Sequence, residues 1–534
     1  MDVAMENPLS SFEVFLKDHP NVEFVWLQFM SYTANTLVRI VPIAKFKKML
    51  QNNQWLPLSS AVFHLSPGDR LVPGASPSGK FYLRPDFSTA YCQFGSNGTR
   101  AVVNVDCVNE NGNPIPECAR SKLRDLHNTL QTENESSLLI GFEIEAMFLQ
   151  PIYSEKTIVD YEPINSPYQH SFTGMTPEDR PYIELIEAIS RALSSVNIEL
   201  EQFHAEAGPG QWEFVLPPST PITAIDTLLR ARETIMLVAQ SYNYRATIST
   251  QPFPDQATNG AHIHMSINPT IKSPTQSPPT PKSSITPLEK AESFFAGIQH
   301  HLPAILAFTL PNDASYTRIQ TGTWSGGEYA AWGWENKEVS LRRITNERFE
   351  IKHVDGFSNP YLVLCALLSA GIIGLRGELV LKGGPCTIPA AQLSDDEREK
   401  IGLVDVLPYT LDDSLDCLEE DGRIQYLMGP MMVSSYLEVK KGEMEFLRGM
   451  GDLYLGAQWT GPQRSLVLGT GSKKFEWWNT HAQEMPQMAA AARDYLAIPT
   501  TRIEQAAETR ITVTQNPMYH ADLMRMMMLL EARE

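Results

Sequence analysis

The sequence predicts an α+β protein, with a small strand-rich domain at the N-terminus and a larger domain in which half-buried strands are interleaved with helices. Three observations carry this. Residues 21–108 are rich in β-formers, in VEFVWLQF, LVRIVPI, KFYLRPD and RAVVNVDCV, punctuated by Ser66-Pro67-Gly68-Asp69 and Asn97-Gly98. Farther on, GFEIEAMF, HIHMSI and RFEIK alternate apolar and polar residues with period two. Between them runs helical spacing, as in Ile183, Ile186, Ile189 and Leu193. The 534 residues, 43% of them apolar, are enough for a substantial core.

Residues 1–20 read as a short amphipathic lead-in, and residues 21–110 as the strand-rich domain. A helix is predicted over 118–133, then a strand over LLIGFEIEAMFL. Residues 151–180 are polar and proline-containing, which predicts an exposed excursion. The stretch Glu201–Phe214, EQFHAEAGPGQWEF, reads as a tight strand–turn–strand about Gly208-Pro209-Gly210. Thr220-Pro221 fits a helix start leading into ITAIDTLLRARETIMLVAQ. A strand over RATISTQPF then runs toward AHIHMSI. Residues 269–287 are rich in Pro, Ser and Thr and predict a flexible surface loop. A helix over 289–309 follows, then a glycine- and aromatic-rich segment, 316–344, ending in the strand EVSLRRI. Asn359-Pro360 starts another helix, and a helix pair is predicted near 412–450. The larger domain thus spans 111–450. Residues 451–534 change character (FEWWN, then LMRMMMLLEA) and predict an appended helical extension.

The net charge of −19 and a pI near 5.1 argue against a nucleic-acid binder, which needs a basic face. No run approaches the ~18 apolar residues of a membrane span. The start, MDVAMENPLSSFEVFLKDHP, lacks the basic and apolar regions of a secretory signal. Cys92, Cys107, Cys118, Cys365, Cys386 and Cys417 are scattered, with no Cys-x-x-Cys pair. That argues against a zinc knuckle or a disulfide framework, and for a reducing, cytoplasmic setting.

The Gly-Pro-Gly hairpin can aim Glu206 and Glu213 at one point, and paired carboxylates repel unless a cation or proton lies between them. A strand places i and i+2 on one face. Glu143 and Glu145 therefore share a face, as do His262, His264 and Ser266, and Arg348, Glu350 and Lys352. Each motif alone is weak, because Glu-x-Glu on a strand is usually a solvated face and Arg-Arg is usually surface. Together on alternating strands they predict one pocket of five glutamates and a histidine. That donor set is hard and suits Mg²⁺ or Mn²⁺ over structural zinc. Six ligands make two sites of three, with Arg318, Lys337, Arg342, Arg343 and Lys352 at hand for phosphoryl transfer.

These motifs also carry a family resemblance. GFEIEAMF, E-x-x-H-x-E-x-x-P-G-Q-x-E, NGAHIHMSI, AWGWENKEVSLRRI and RFEIKHVDGFSNPYLVLCALLSAGIIG stand in the order found in glutamine synthetase of the type I class, and the chain especially resembles its fungal glutamine-synthetase-like relatives. The resemblance covers roughly residues 20–450. It implies a β-grasp-like N-terminal domain, a large catalytic domain with a curved antiparallel sheet and surrounding helices, and a double-ring homo-oligomer. It also implies ATP and Mg²⁺ (or Mn²⁺), with a glutamate-like substrate and an amine. By position, Glu145, Glu206 and Glu213 would hold one metal, and Glu143, His262 and Glu350 the other. Glu201, His264 and Ser266 match nucleotide-binding positions. Lys337 and Arg342 match cations at the phosphates, and Arg318 the arginine on the substrate's α-carboxylate. Strand parity sets Glu201 opposite Glu206 unless a bulge intervenes.

Four positions depart from the family pattern. SSAVFHLSPGD has no clear equivalent of the Asp-Gly-Ser-Ser stretch that helps bind ammonium. Trp324 stands where a flap glutamate takes a proton, which an indole cannot do. Lys352 replaces an arginine near the transferred phosphoryl group and cannot make a bidentate fork. Ala257-Thr258-Asn259-Gly260 replaces a glycine-rich approach to the histidine pair. The expectation is an ATP-dependent ligase forming a γ-glutamyl amide from ammonia or another amine. The alternatives are a catalytically weak scaffold or developmental-signalling protein, and a carboxylate or guanidino kinase.

Overall fold

The computed structural model describes residues 8–449, apart from 155–156, 165–172, 174, 178, 254–255, 271–285 and 404–405, and beyond them residues 457–458 and 467–468. The chain opens with α1 (Pro8–Asp18), β1 (Phe24–Met30), β2 (Thr36–Pro42) and α2 (Ile43–Gln51). It continues through β3 (Leu56–Ser59), the small pair β4 (Leu65–Ser66) and β5 (Arg70–Leu71), β6 (Lys80–Pro85), β7 (Tyr91–Cys92) and β8 (Arg100–Val108). A six-stranded sheet results, ordered β2-β1-β8-β6-β3 with β7 on β8. Its central pair, β1 and β8, is parallel. β8 is buried from Ala101 to Val108, Asn104 and Asp106 included, because both of its faces are covered.

After α3 (Ala119–Asn134), the spine of a second sheet is β9 (Ser136–Ser154), long enough to pair with four strands. These are β10 (Thr157–Pro163), β12 (Gln211–Val215), β13 (Arg245–Thr247) and β14 (Ile263–Pro269). With β11 (Gln202–Ala205), β15 (Trp332–Trp334), β16 (Leu341–Arg343) and β17 (Arg348–Ile351) they form a nine-stranded curled sheet, ordered β11-β12-β9-β14-β17-β16-β15. Its ladders are antiparallel except β15–β16. Helices α4 (Arg180–Ser195), α5 (Pro221–Ser241), α6 (Pro287–His300), α7 (Leu302–Thr309) and α8 (Pro360–Arg376) contribute buried residues to one continuous core. α9 (Asp395–Lys400), α10 (Leu411–Glu420), α11 (Gly422–Met428) and α12 (Pro430–Gly449) complete the α+β fold. Among the described residues no helix is long and apolar enough to cross a membrane. All six cysteines are free thiols.

Several elements differ from expectation. The polar start of 151–180 is regular, because β9 runs on to Ser154 and pairs with β10. The strand over RATISTQPF is limited to β13, three residues long. The helix predicted over 289–309 is two helices broken at His301, where Pro303 in the first turn of α7 has no N–H to continue the ladder. The expected pair near 412–450 is three helices, separated at Asp421 and at Gly429, whose φ is +104°. In the tail expected to be helical, the described residues form a short antiparallel ladder, 457–458 with 467–468. The predicted loop at 269–287 falls almost wholly outside the described residues.

Candidate functional site

Residues directly paired across neighbouring strands project to the same face. On β12, Glu213 pairs with Glu145 of β9 and with His204 of β11. On the other side of β9, His264 of β14 pairs with Glu350 of β17, which pairs with Arg342 of β16. The register therefore lays a polar row across the sheet. Glu143 links its two halves. It accepts hydrogen bonds from His262 Nδ1 at 3.0 Å and His264 Nε2 at 2.7 Å. Each imidazole meets an arginine at its other nitrogen, His262 with Arg318 at 3.4 Å and His264 with Arg348 at 3.0 Å.

The hairpin is built to hold this row. Gly210 has φ +66°, a conformation glycine adopts freely, and a Cβ there would lie 2.6 Å from the Phe148 carbonyl oxygen. Gln211 closes the turn by accepting the Gly208 N–H at 2.7 Å, and it donates to Glu145 at 2.9 Å. The same Glu145 oxygen accepts the Gly260 N–H at 2.8 Å. Gly260 sits so tightly in the site that a Cβ would meet His262 Nε2 at 2.6 Å, Arg318 Nη2 at 2.8 Å and Glu145 Oε1 at 3.0 Å.

Electrostatics follow from this crowding. Burial, then the charges of Glu143, Glu145, Glu206 and Glu350, push the Glu213 carboxyl up to about 9. Burial alone would raise Glu143, but the hydrogen bonds from His262 and His264 hold it well below the usual carboxylate range. Glu350 accepts Lys352 Nζ and Arg342 Nη1, each at 2.8 Å. Burial opposes its ionisation, yet the Lys352 charge, with His262, brings it down to about 2. Arg318 is buried, donates to the Val354 carbonyl at 2.6 Å, and has an Nε with no hydrogen-bond partner.

Ligand atoms of Glu143, His264 and Glu350 lie within 4.8 Å of one another, as do those of His204, Glu206 and Glu213. The expected sets were Glu143, His262, Glu350 and Glu145, Glu206, Glu213. The structure brings these residues near one another, with His264 and His204 beside them. Glu145 is held by Gln211 and Gly260, while His204 reaches within 3.5 Å of Glu213 and 3.7 Å of Glu206. His262 lies 3.5 Å from both Glu145 and Glu350. Carboxylates with one or two imidazoles are a donor set that fits Mg²⁺ or Mn²⁺.

Other expected residues stand apart. Glu201 continues the β11–β12 register without a bulge and is exposed on the face opposite Glu206, so the structure does not bring it to the row. Ser266 lies farther along β14, opposite Arg348, and accepts from Asn268 at 2.9 Å. Lys337 packs over the Trp324 ring at 5.2 Å. His204 and Gln211 escaped the sequence reading, although parity with Glu206 and Glu213 could have flagged both. The Gly260 N–H carries no side-chain signal at all.

The chain is similar to known proteins in both sequence and fold. Residues 116–451 match the family described as glutamine synthetase, catalytic domain. The chain is 38% identical over 441 residues to protein fluG of Emericella nidulans, covering 82% of this chain and 49% of fluG, so it spans about half the length of that relative. It is 27% identical over 451 residues to gamma-glutamylpolyamine synthetase GlnA3 of Streptomyces coelicolor, covering 81% and 91%. Against glutamine synthetase of Methanocaldococcus jannaschii it is 25% identical over 452 residues, covering 80% and 93%. A solved glutamine synthase homologue superposes with a TM-score of 0.65 at 25% identity, covering 81% of this chain and 97% of that one. GmaS with ADP superposes at 0.66 and 20% identity, covering 82% and 96%, a likeness of fold alone.

Proposed function

The chain belongs to the glutamine synthetase family, and from that premise we propose that it is an ATP- and divalent-metal-dependent ligase joining the γ-carboxylate of glutamate to an amine. The observation that carries the reading is the convergence of Glu143, Glu145, Glu206, Glu213 and Glu350, crowded enough to hold a proton on Glu213 to about pH 9. Such a cluster calls for cations. Glu143, Glu350 and His262 or His264 would hold one, and Glu206, Glu213 and Glu145 or His204 the other. When bound, Mg²⁺ or Mn²⁺ would neutralise the carboxylates and polarise phosphoryl oxygens.

In the proposed reaction a substrate carboxylate oxygen bonds to the terminal phosphorus of ATP as the bond to the ADP oxygen breaks. The amine nitrogen then bonds to the acyl carbon, phosphate leaves with the bonding electrons, and the nitrogen loses a proton. Arg342 and Lys352, drawn together by Glu350, supply positive charge beside the phosphoryl group. The unpartnered Nε of Arg318 suits the substrate's second carboxylate. A ring-shaped homo-oligomer and a cytoplasmic setting belong to the same proposal.

The test is a reaction with ATP, Mg²⁺, glutamate and a panel of ammonia and primary amines, read by product mass. ADP, phosphate and γ-glutamyl amide in equal amounts support the ligase, and Glu206→Ala should abolish them. ADP with no amide points to a carboxylate kinase. ATP binding without turnover points to a scaffold.

A further inference from the structure

Residues 318–327 run on from Arg318, and several polar groups in this loop are tied down. Ser325 Oγ donates to the Arg318 carbonyl at 2.5 Å, and His353 Nε2 to the Gly327 carbonyl at 2.9 Å. Glu338, almost fully buried, accepts the Trp324 N–H at 2.6 Å and the Gly322 N–H at 2.9 Å, one on each oxygen. Thr321 donates its N–H and its hydroxyl to Glu328 at 3.3 and 3.1 Å.

At the centre of this anchored loop stands Trp324, with φ +59° and an indole 63% exposed. A bulky residue in the left-handed region is strained, and strain persists only where surrounding contacts impose it. Here those contacts hold the backbone in place and leave a large aromatic face in solvent beside the Arg318 end of the site. The ring contact seen is the Lys337 ammonium, 5.2 Å from the centroid. Positive charge is thus already present at the ring, which disfavours a second ammonium there. The remaining surface suits a neutral apolar body lying against it.

We infer that Trp324 is a specificity-determining residue of the amine subsite, and that the acceptor is an organic primary amine carrying an apolar chain or ring. This rests on the ligase reading above. The nitrogen that attacks must be uncharged, so the amine's body rather than its charge would be recognised. Ammonia and methylamine offer the indole nothing to hold.

Trp324→Gly removes the ring and suits the left-handed backbone, so the loop keeps its path. Trp324→Phe keeps an aromatic face. The readout is kcat/KM for benzylamine relative to methylamine, by product mass. The ratio should fall about tenfold or more in the glycine variant and be largely retained in the phenylalanine variant, as stacking on a neutral body requires. Product formation with an unchanged ratio overturns this inference alone. A wild-type preference for putrescine or spermidine over benzylamine and butylamine overturns the apolar assignment. No γ-glutamyl product with any amine overturns the ligase reading and this inference with it.

Discussion

Gly260 shows how little room the site leaves. Its N–H holds Glu145, and any side chain would press on His262, Arg318 and Glu145 together. Gly260→Ala should therefore displace all three, costing about 1–3 kcal/mol of stability, the usual range for an overpacked site. Mn²⁺ affinity should fall with it, and melting curves with titration calorimetry would measure both. Glu350 makes the complementary case. Replacing it with Gln leaves the buried Lys352 and neighbouring Arg342 without their shared anion, which should cost about 3 kcal/mol or more in denaturant unfolding. Much at this scale was legible, because a period of two exposes Glu143 with Glu145 and sets Glu350 with Lys352. What was not legible acts through the backbone, as Gly260 does.

Among elements, the α6–α8 crossing is the most demanding. A Cβ on Gly297 would lie 2.1 Å from the Ala370 carbonyl oxygen, and one on Gly374 would lie 2.1 Å from that of Ser293. The two helices touch backbone to backbone, so neither glycine can yield without moving a helix. Gly374→Ala should lower stability by about 3 kcal/mol and the melting temperature by several degrees, although it is remote from the carboxylate row. Individual helices could be read from sequence where caps and spacing agreed. Asn359 was such a signal, and its side chain accepts the Tyr361 and Leu362 N–H groups at the start of α8. The break at His301 was missed because the apolar pattern continues through both helices.

Over the whole molecule, Arg120 ties the first sheet to the helices behind it. Its guanidinium meets Asp86 at 2.8 Å, Asp106 at 2.9 Å and Asp226 of α5 at 2.6 Å, and the Tyr361 hydroxyl of α8 donates to Asp226 at 2.5 Å. Arg120→Met should cost about 3–5 kcal/mol, because it strands buried carboxylates. Burial would raise Asp86 and Asp106. At Asp86 the Ser88 hydrogen bond and Arg120, and at Asp106 Arg120 and Arg124, more than offset this, so both titrate below the ordinary 3.8. Groups depressed in the folded state stabilise it above their unfolded value and lose that contribution as pH falls through the folded one. Stability should therefore drop as pH falls below about 4, and less steeply in Arg120→Met, where the depression is gone. Acid titration followed by circular dichroism checks this. None of it was readable in advance. Local pattern says which face a residue takes, but not which distant segment will lie opposite it.

The polar row across the curled sheet has a consequence of its own. Its members come from chain segments scattered between residues 143 and 350, and they become neighbours only when every ladder from β11 to β16 has closed in register. No fragment, and no partly assembled intermediate, holds the complete row of carboxylates and imidazoles. An ion captured there would act as a keystone, favouring the finished arch over all its incomplete versions. Adding Mn²⁺ should accordingly slow proteolysis at sites throughout the second sheet, and a slipped strand anywhere along it would betray itself by failing to retain the ion on gel filtration.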